Sequence, residues 1–192
     1  MIIGITGGTG CGKTTALRVF EELGGVVLDC DVIYHQLLRQ DKAMLSAIES
    51  RFPGTVRDGV LDRKKLGSIV FADREALREL NAITHGAVKQ EVLRRIGREK
   101  RPVAIDAIGL FEGGLAQLCD TTVAVTAPEE SRVARLMARD GIPEEYAKAR
   151  ISAQRSQAEF LGLCEHCLCN DGTQQEFRQK CLAFFRTLGI MK

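Results

Sequence analysis

The octet Gly7-Gly8-Thr9-Gly10-Cys11-Gly12-Lys13-Thr14 fits G-x-x-x-x-G-K-[ST] and directly follows the apolar run Met1–Ile5. Such a loop needs a buried strand to deliver the chain and an amphipathic helix to carry it away, so it commits the chain to an α/β architecture. Glycines at 7, 8, 10 and 12 let backbone N–H groups turn inward without Cβ clashes. The helix that begins near Lys13 adds its positive end. Lys13 can reach the β- and γ-phosphates of a nucleoside triphosphate, and the Thr14 hydroxyl can ligate Mg²⁺. The competing reading is a glycine-rich turn that only joins strand to helix.

The 192 residues suffice for one domain with a real core and a small insertion. A formal net charge of +2 does not suggest a nucleic-acid binder, and with no Trp and two Tyr the chain offers few base-stacking surfaces. No stretch approaches the roughly 20 apolar residues of a membrane helix, so no membrane partner is expected. Met1–Ile5 is too short for the apolar core of a signal peptide. Seven cysteines at irregular spacing indicate free thiols in a reduced, cytoplasmic protein. The cluster Cys164, His166, Cys167 and Cys169 does not suit zinc, because a strand would send these side chains to opposite faces.

Apolar runs at Met1–Thr6, Gly25–Leu28, Val103–Ile105, Thr121–Val125 and Glu165–Cys169 alternate with helical patterns. They predict a five-stranded parallel sheet with helices on both faces, the three-layer α/β sandwich of the P-loop kinases. Residues 32–100 are mostly helical by pattern, with breaks at Pro53-Gly54 and Asp58-Gly59. This segment reads as an inserted helical subdomain over the carboxyl edge of the sheet, where a second substrate would bind; a purely structural cap is the alternative. Gln174–Leu188 carries apolar residues at helical spacing and reads as core-packing.

Asp29 and Asp31 end the second strand, on the side of the crevice. Asp31 is the candidate base for an attacking hydroxyl, with Asp29 in support; one of the two caps the following helix. Asp106 ends the third strand, where an acid can ligate Mg²⁺ or serve as a turn residue. Glu112 follows it with no role that spacing decides. Arg132, Arg135 and Arg139 form one stripe on the helix after Pro128. With the helix carrying Arg150, they read as a lid over residues 129–158 that brings guanidinium groups to a triphosphate. The alternative is a solvated basic face, and Arg132 fits that alternative most readily. Asn170 and Gly172, in the turn after the fifth strand, are candidates to lie along a bound base.

The chain resembles the dephospho-coenzyme A kinase family over nearly its whole length. The resemblance rests on Ile5–Thr15, Asp29-Cys30-Asp31, Asp58-Gly59-x-Leu61-Asp62-Arg63, and Ile83-Thr84-His85. It continues through Asp106 with Leu110-Phe111-Glu112, Arg135-x-x-x-Arg139-Asp140-Gly141, Arg150-x-x-x-Gln154 and Asn170-x-Gly172. The sequence departs from the family's usual pattern at Gly86, Ile108-Gly109, Phe160 and Glu165. The resemblance implies transfer of the γ-phosphoryl group of ATP to the ribose 3′-hydroxyl of dephospho-coenzyme A, with Mg²⁺ as cofactor. It implies nucleotide contacts from Gly8, Thr9, Gly10, Cys11, Gly12, Lys13, Thr14, Thr15, Asn170 and Gly172. Asp31 is then the base, and Lys13, Arg135 and Arg139 serve the transferring phosphate. Asp31, His85, Asp106 and Glu112 would hold the acceptor, and Thr14 and Asp106 the metal. A monomer or weak homo-oligomer is expected.

Two other readings share these features. One is a nucleoside or nucleoside monophosphate kinase, which would differ in the inserted subdomain. The other is a non-enzymatic nucleotide switch, although no guanine-reading N-K-x-D segment is present.

Overall fold

The computed structural model describes residues 1–190. In chain order the elements are β1 (Ile2–Thr6), α1 (Lys13–Glu22), β2 (Val26–Asp29), α2 (Cys30–Gln40), α3 (Lys42–Arg51), β3 (Val56–Arg57), β4 (Val60–Leu61), α4 (Arg63–Val70), α5 (Arg74–Ile96), β5 (Val103–Asp106), β6 (Thr121–Thr126), α6 (Glu129–Asp140), α7 (Glu144–Ser152), α8 (Gln157–Leu163), β7 (His166–Cys169) and α9 (Gln174–Thr187). They form two compact units: Met1–Leu28 with the chain from Glu99 onward, and Asp29–Arg98.

The first unit is built on a five-stranded sheet of order β2-β5-β1-β6-β7. β1 lies at its centre, parallel to β5 on one side and β6 on the other, and β7 runs parallel to β6. All six residues of β6 are buried, as expected of a strand covered on both faces. This central position delivers Thr6 directly into the glycine loop at the carboxyl edge of the sheet. One layer of the core joins α1 and α9 to the sheet. Leu17, Phe20 and Leu23 pack there with Phe177, Cys181 and Phe185, beneath Ile3, Ile5, Val123 and Val125. The rings of Phe20 and Phe185 meet edge to face, 5.3 Å between centroids. Phe20 is fully buried, so Phe20→Ala is expected to lower unfolding free energy by about 3–5 kcal/mol in a denaturant titration. A loss below about 1 kcal/mol would contradict this account of the core.

The second unit packs α2–α5 around Leu38, Met44, Ile48, Phe52, Leu66, Val70 and Leu80. Its helices start on carboxylate caps: Asp29, Asp41, Asp62 and Asp73 each accept a hydrogen bond from a first-turn amide. The sequence reading placed a helix break at Asp58-Gly59. The structure makes it the turn of a short antiparallel hairpin, β3–β4. Asp58 and Gly59 have φ of 51° and 76°, the conformation an Asp-Gly hairpin turn requires. The Glu49 carboxylate accepts from the Gly54 and Val56 amides at 2.5 and 2.6 Å, which fixes the approach to the hairpin. The same amides draw its pKa below the usual glutamate range. Among the described residues no helix is long and apolar enough to cross a membrane.

Candidate active site

Helix α1 begins on Gly12, whose φ of 103° lies in the left-handed region and whose missing side chain caps nothing. A Cβ there would collide with the Asn170 amide, so the position demands glycine. The first turn of α1 holds no acidic residue and no side-chain cap. The Thr15 N–H turns back to the Gly12 carbonyl at 3.0 Å, and the Lys13 and Thr14 N–H groups are left for an anion, in contrast to the carboxylate-capped helices of the second unit.

A cleft of about 760 Å³ opens over this helix end. Loop residues Gly8, Thr9, Gly10, Gly12, Lys13 and Thr14 line one side; Ile108, Arg135, Leu136, Ala138, Arg139 and Gln174 complete it. Three of these side chains are cationic, and none is a carboxylate. The cleft is therefore suited to a polyanion of nucleotide size. Lys13 Nζ donates to the Gly7 carbonyl at 2.9 Å, which folds the side chain back over the loop. Thr14 is exposed and Thr15 half-buried. Cys11 is 2 % exposed and does not line the cleft; burial pushes its thiol up from the usual range, against the pull of the Lys13 charge. Burial also pushes the Cys119 and Cys181 thiols up to about 12, so neither is a ready nucleophile at neutral pH.

Helix α6 sets its arginines in three environments. Arg132 is 7 % exposed and its Nε donates to the Thr9 carbonyl at 2.9 Å. This corrects the sequence reading, in which Arg132 was the arginine most readily assigned to solvent. Arg135 is half-buried and its Nη1 donates to the Gly10 carbonyl at 3.1 Å. Arg139 grips Asp140 with two hydrogen bonds of 2.7 and 2.9 Å, and Arg150 of α7 joins the same carboxylate at 2.6 Å. Both arginines draw the Asp140 pKa well below the usual aspartate range. Met137 on the same helix is 38 % exposed, while Val133 and Leu136 are buried.

Two further side chains reach the loop. Gln154 Oε1 accepts from the Thr9 amide at 2.7 Å, and Asn170 Nδ2 donates to the Cys11 carbonyl at 3.0 Å. Asn170 is thus a buried brace on the loop, while Gly172 sits exposed in the turn before α9. Asp106 is half-buried at the carboxyl end of β5, in register with Ile5 of β1. Glu112 bonds Arg155 at 2.5 Å. Of the cysteine cluster, Leu168 between Cys167 and Cys169 enters the core, and Cys167 Sγ lies 3.4 Å from Thr126 Oγ1.

In the second unit, Asp29 caps α2 by accepting from the Val32 amide at 3.0 Å. Asp31 lies in the first turn of that helix and is exposed. His85 sits half-buried near the middle of α5. The structure thus gathers the loop, Arg135, Arg139 and Asn170 in the first unit, and carries Asp31 and His85 on the second. Gln154 and Arg132 were within reach of sequence reading only through the motif Arg150-x-x-x-Gln154 and the helical spacing of the arginines. Neither signal says that a side chain folds onto the loop.

A family model described as dephospho-CoA kinase matches residues 1–176. A dephospho-CoA kinase of Geobacillus kaustophilus is 36 % identical over 192 residues, covering 97 % of this chain and 96 % of the relative. A solved structure from Thermus thermophilus superposes with a TM-score of 0.80 at 34 % identity, over 98 % of this chain and 96 % of the other. The dephospho-CoA kinase of Campylobacter jejuni gives 0.71 at 27 % identity, over 97 % and 96 %. On the family match over residues 1–176 and the relative at 36 % identity over nearly the whole length of both chains, the chain belongs to the dephospho-CoA kinase family.

Proposed function

We propose that this protein transfers the γ-phosphoryl group of ATP to the ribose 3′-hydroxyl of dephospho-coenzyme A, giving coenzyme A and ADP. The observation that carries this reading is the cleft over the uncapped start of α1, with Lys13, Arg135 and Arg139 in its lining and no carboxylate. The triphosphate lies along the loop Gly8–Thr15, with Lys13 at the transferring group. Asp31 takes the proton from the 3′-hydroxyl. The 3′-oxygen bonds to the γ-phosphorus as the bond from that phosphorus to the bridging oxygen of ADP breaks. Arg135 and Arg139 spread the charge of the transition state; Arg139 does so by exchanging Asp140 for phosphate. The second unit, with His85, holds the acceptor, and residues 129–158 act as the lid that excludes water. Asn170 and Gly172 border the nucleotide, and Glu112 the acceptor.

The Thr14 hydroxyl and the Asp106 carboxylate are oxygen donors, the hard ligands Mg²⁺ takes. They would hold the ion, which supplies charge neutralisation on the phosphates. Free cysteines suit a reducing compartment, here the cytoplasm.

A substrate panel tests the reading. Purified protein with ATP and Mg²⁺ is expected to convert dephospho-coenzyme A and to leave nucleosides and nucleoside monophosphates largely unreacted. Turnover of a nucleoside monophosphate with none of dephospho-coenzyme A would assign a different kinase. Consumption of neither acceptor would favour a nucleotide switch.

A further inference from the structure

Three consecutive loop carbonyls are each held by a side chain from late in the chain. Arg132 holds Thr9, Arg135 holds Gly10 and Asn170 holds Cys11, at 2.9, 3.1 and 3.0 Å. In a trans peptide the N–H points opposite to the C=O, and no peptide bond among the described residues is cis. Holding the Thr9 carbonyl therefore aims the Gly10 amide, and holding the Cys11 carbonyl aims the Gly12 amide. Gly10 and Gly12 both line the cleft, whereas Cys11 does not. The Cys11 amide, in the middle peptide, turns back to the Gly8 carbonyl at 3.3 Å. Arg132 and Asn170 thus control two amides that are left for a ligand.

Arg132 carries an additional feature. It is 7 % exposed, and its Nη2 is buried with no hydrogen-bond partner among the described residues. The guanidinium presses on Gly8 so closely that a Cβ there would collide with it. No ion pair joins it to a carboxylate among the described residues. Its burial is costly, and a neutral side chain of the same length would pack there at lower cost. A positive charge kept behind an anion-binding loop makes sense when the missing counter-charge arrives with the ligand.

We propose that Arg132 is a positioning residue for nucleotide binding: it aims the Gly10 amide into the cleft and places an uncompensated charge behind the loop, for which bound polyphosphate is the counter-ion. This rests on the reading of the cleft as the nucleotide site. Calorimetric titration of the full chain with ADP tests it, using wild type, Arg132→Met and Arg132→Gln. Arg132→Met is expected to weaken ADP about tenfold to a hundredfold, the range for losing a charge-assisted hydrogen bond. Arg132→Gln keeps a donor without the charge and should fall between. In steady state the KM for ATP rises with the same order, while the KM for dephospho-coenzyme A and kcat at saturating ATP stay within about threefold. A merely structural role would lower thermal stability and leave this split absent. Folded Arg132→Met with wild-type affinity for ADP overturns the proposal. If Arg132→Met does not fold, wild-type affinity in Arg132→Gln overturns it instead. Wild-type protein that binds no ADP is a separate failure, because it removes the nucleotide reading itself.

Discussion

Asp31→Asn is expected to lower kcat by about 10²–10⁴, the usual range for removing a general base. The substitution is nearly isosteric and keeps a hydrogen-bonding group, but the amide cannot take the proton of the 3′-hydroxyl. The local fold has only a small stake in the change, the charge of Asp31 in the first turn of α2. Asp29, not Asp31, caps α2, through its bond of 3.0 Å from the Val32 amide. Asp31 is exposed in the following turn. Thermal stability should therefore stay close to wild type, and ADP affinity should change little. Steady-state kinetics at saturating ATP and acceptor check the outcome. Turnover near the wild-type value would remove Asp31 from the role of base.

Lys13→Ala should lower kcat by about 10²–10³, the range seen when one preorganised donor to a developing charge is lost. Nucleotide affinity should fall as well, since in the proposed site the lysine charge would act on the bound triphosphate before transfer. In the structure Lys13 Nζ donates to the Gly7 carbonyl at 2.9 Å, so the side chain already lies over the loop. Little reorganisation separates this arrangement from one that meets a phosphate oxygen. The Gly7 carbonyl loses one donor in the variant, but Lys13 is only half-buried and water can replace it. A variant with wild-type kcat and wild-type affinity for ADP would contradict the assignment.

The central strands β1, β5 and β6 were legible because each is a short, largely buried apolar run, whereas the edge strands β2 and β7 are only partly buried and show the signal more weakly. The loop was legible because its glycines must adopt backbone conformations that other residues avoid: Gly7, Gly10 and Gly12 have φ of 143°, 76° and 103°. The β3–β4 hairpin was read as a break because strands of two residues are too short to show alternation. The Asp58-Gly59 pair between Arg57 and Val60 was nonetheless a hairpin signal of known chemistry. Helix α8, seven residues long, is too short to show a helical period, although Ser156 and Glu159 form the capping box that marks its start.

The arginine stripe shows the limit of periodicity. Spacing placed Arg132, Arg135 and Arg139 on one face of α6, and it could not say what that face touches. Arg132 turned out buried against the loop, 123 residues away in sequence, while Arg139 remained at the surface on its neighbour Asp140. The Asn170 brace spans 159 residues. Contacts of this range depend on the assembled sheet, and no local pattern encodes them.

In the proposed reaction a triphosphate gripped by the loop is attacked by a ribose alcohol. Incubation of the wild-type protein with Mg²⁺, dephospho-coenzyme A and ATP labelled at the γ-phosphorus follows that atom directly. The label is expected on the ribose 3′-oxygen of newly formed coenzyme A, in proportion to the ADP released. Label that stays in ATP, or that appears only as inorganic phosphate while dephospho-coenzyme A is recovered unchanged, would contradict it.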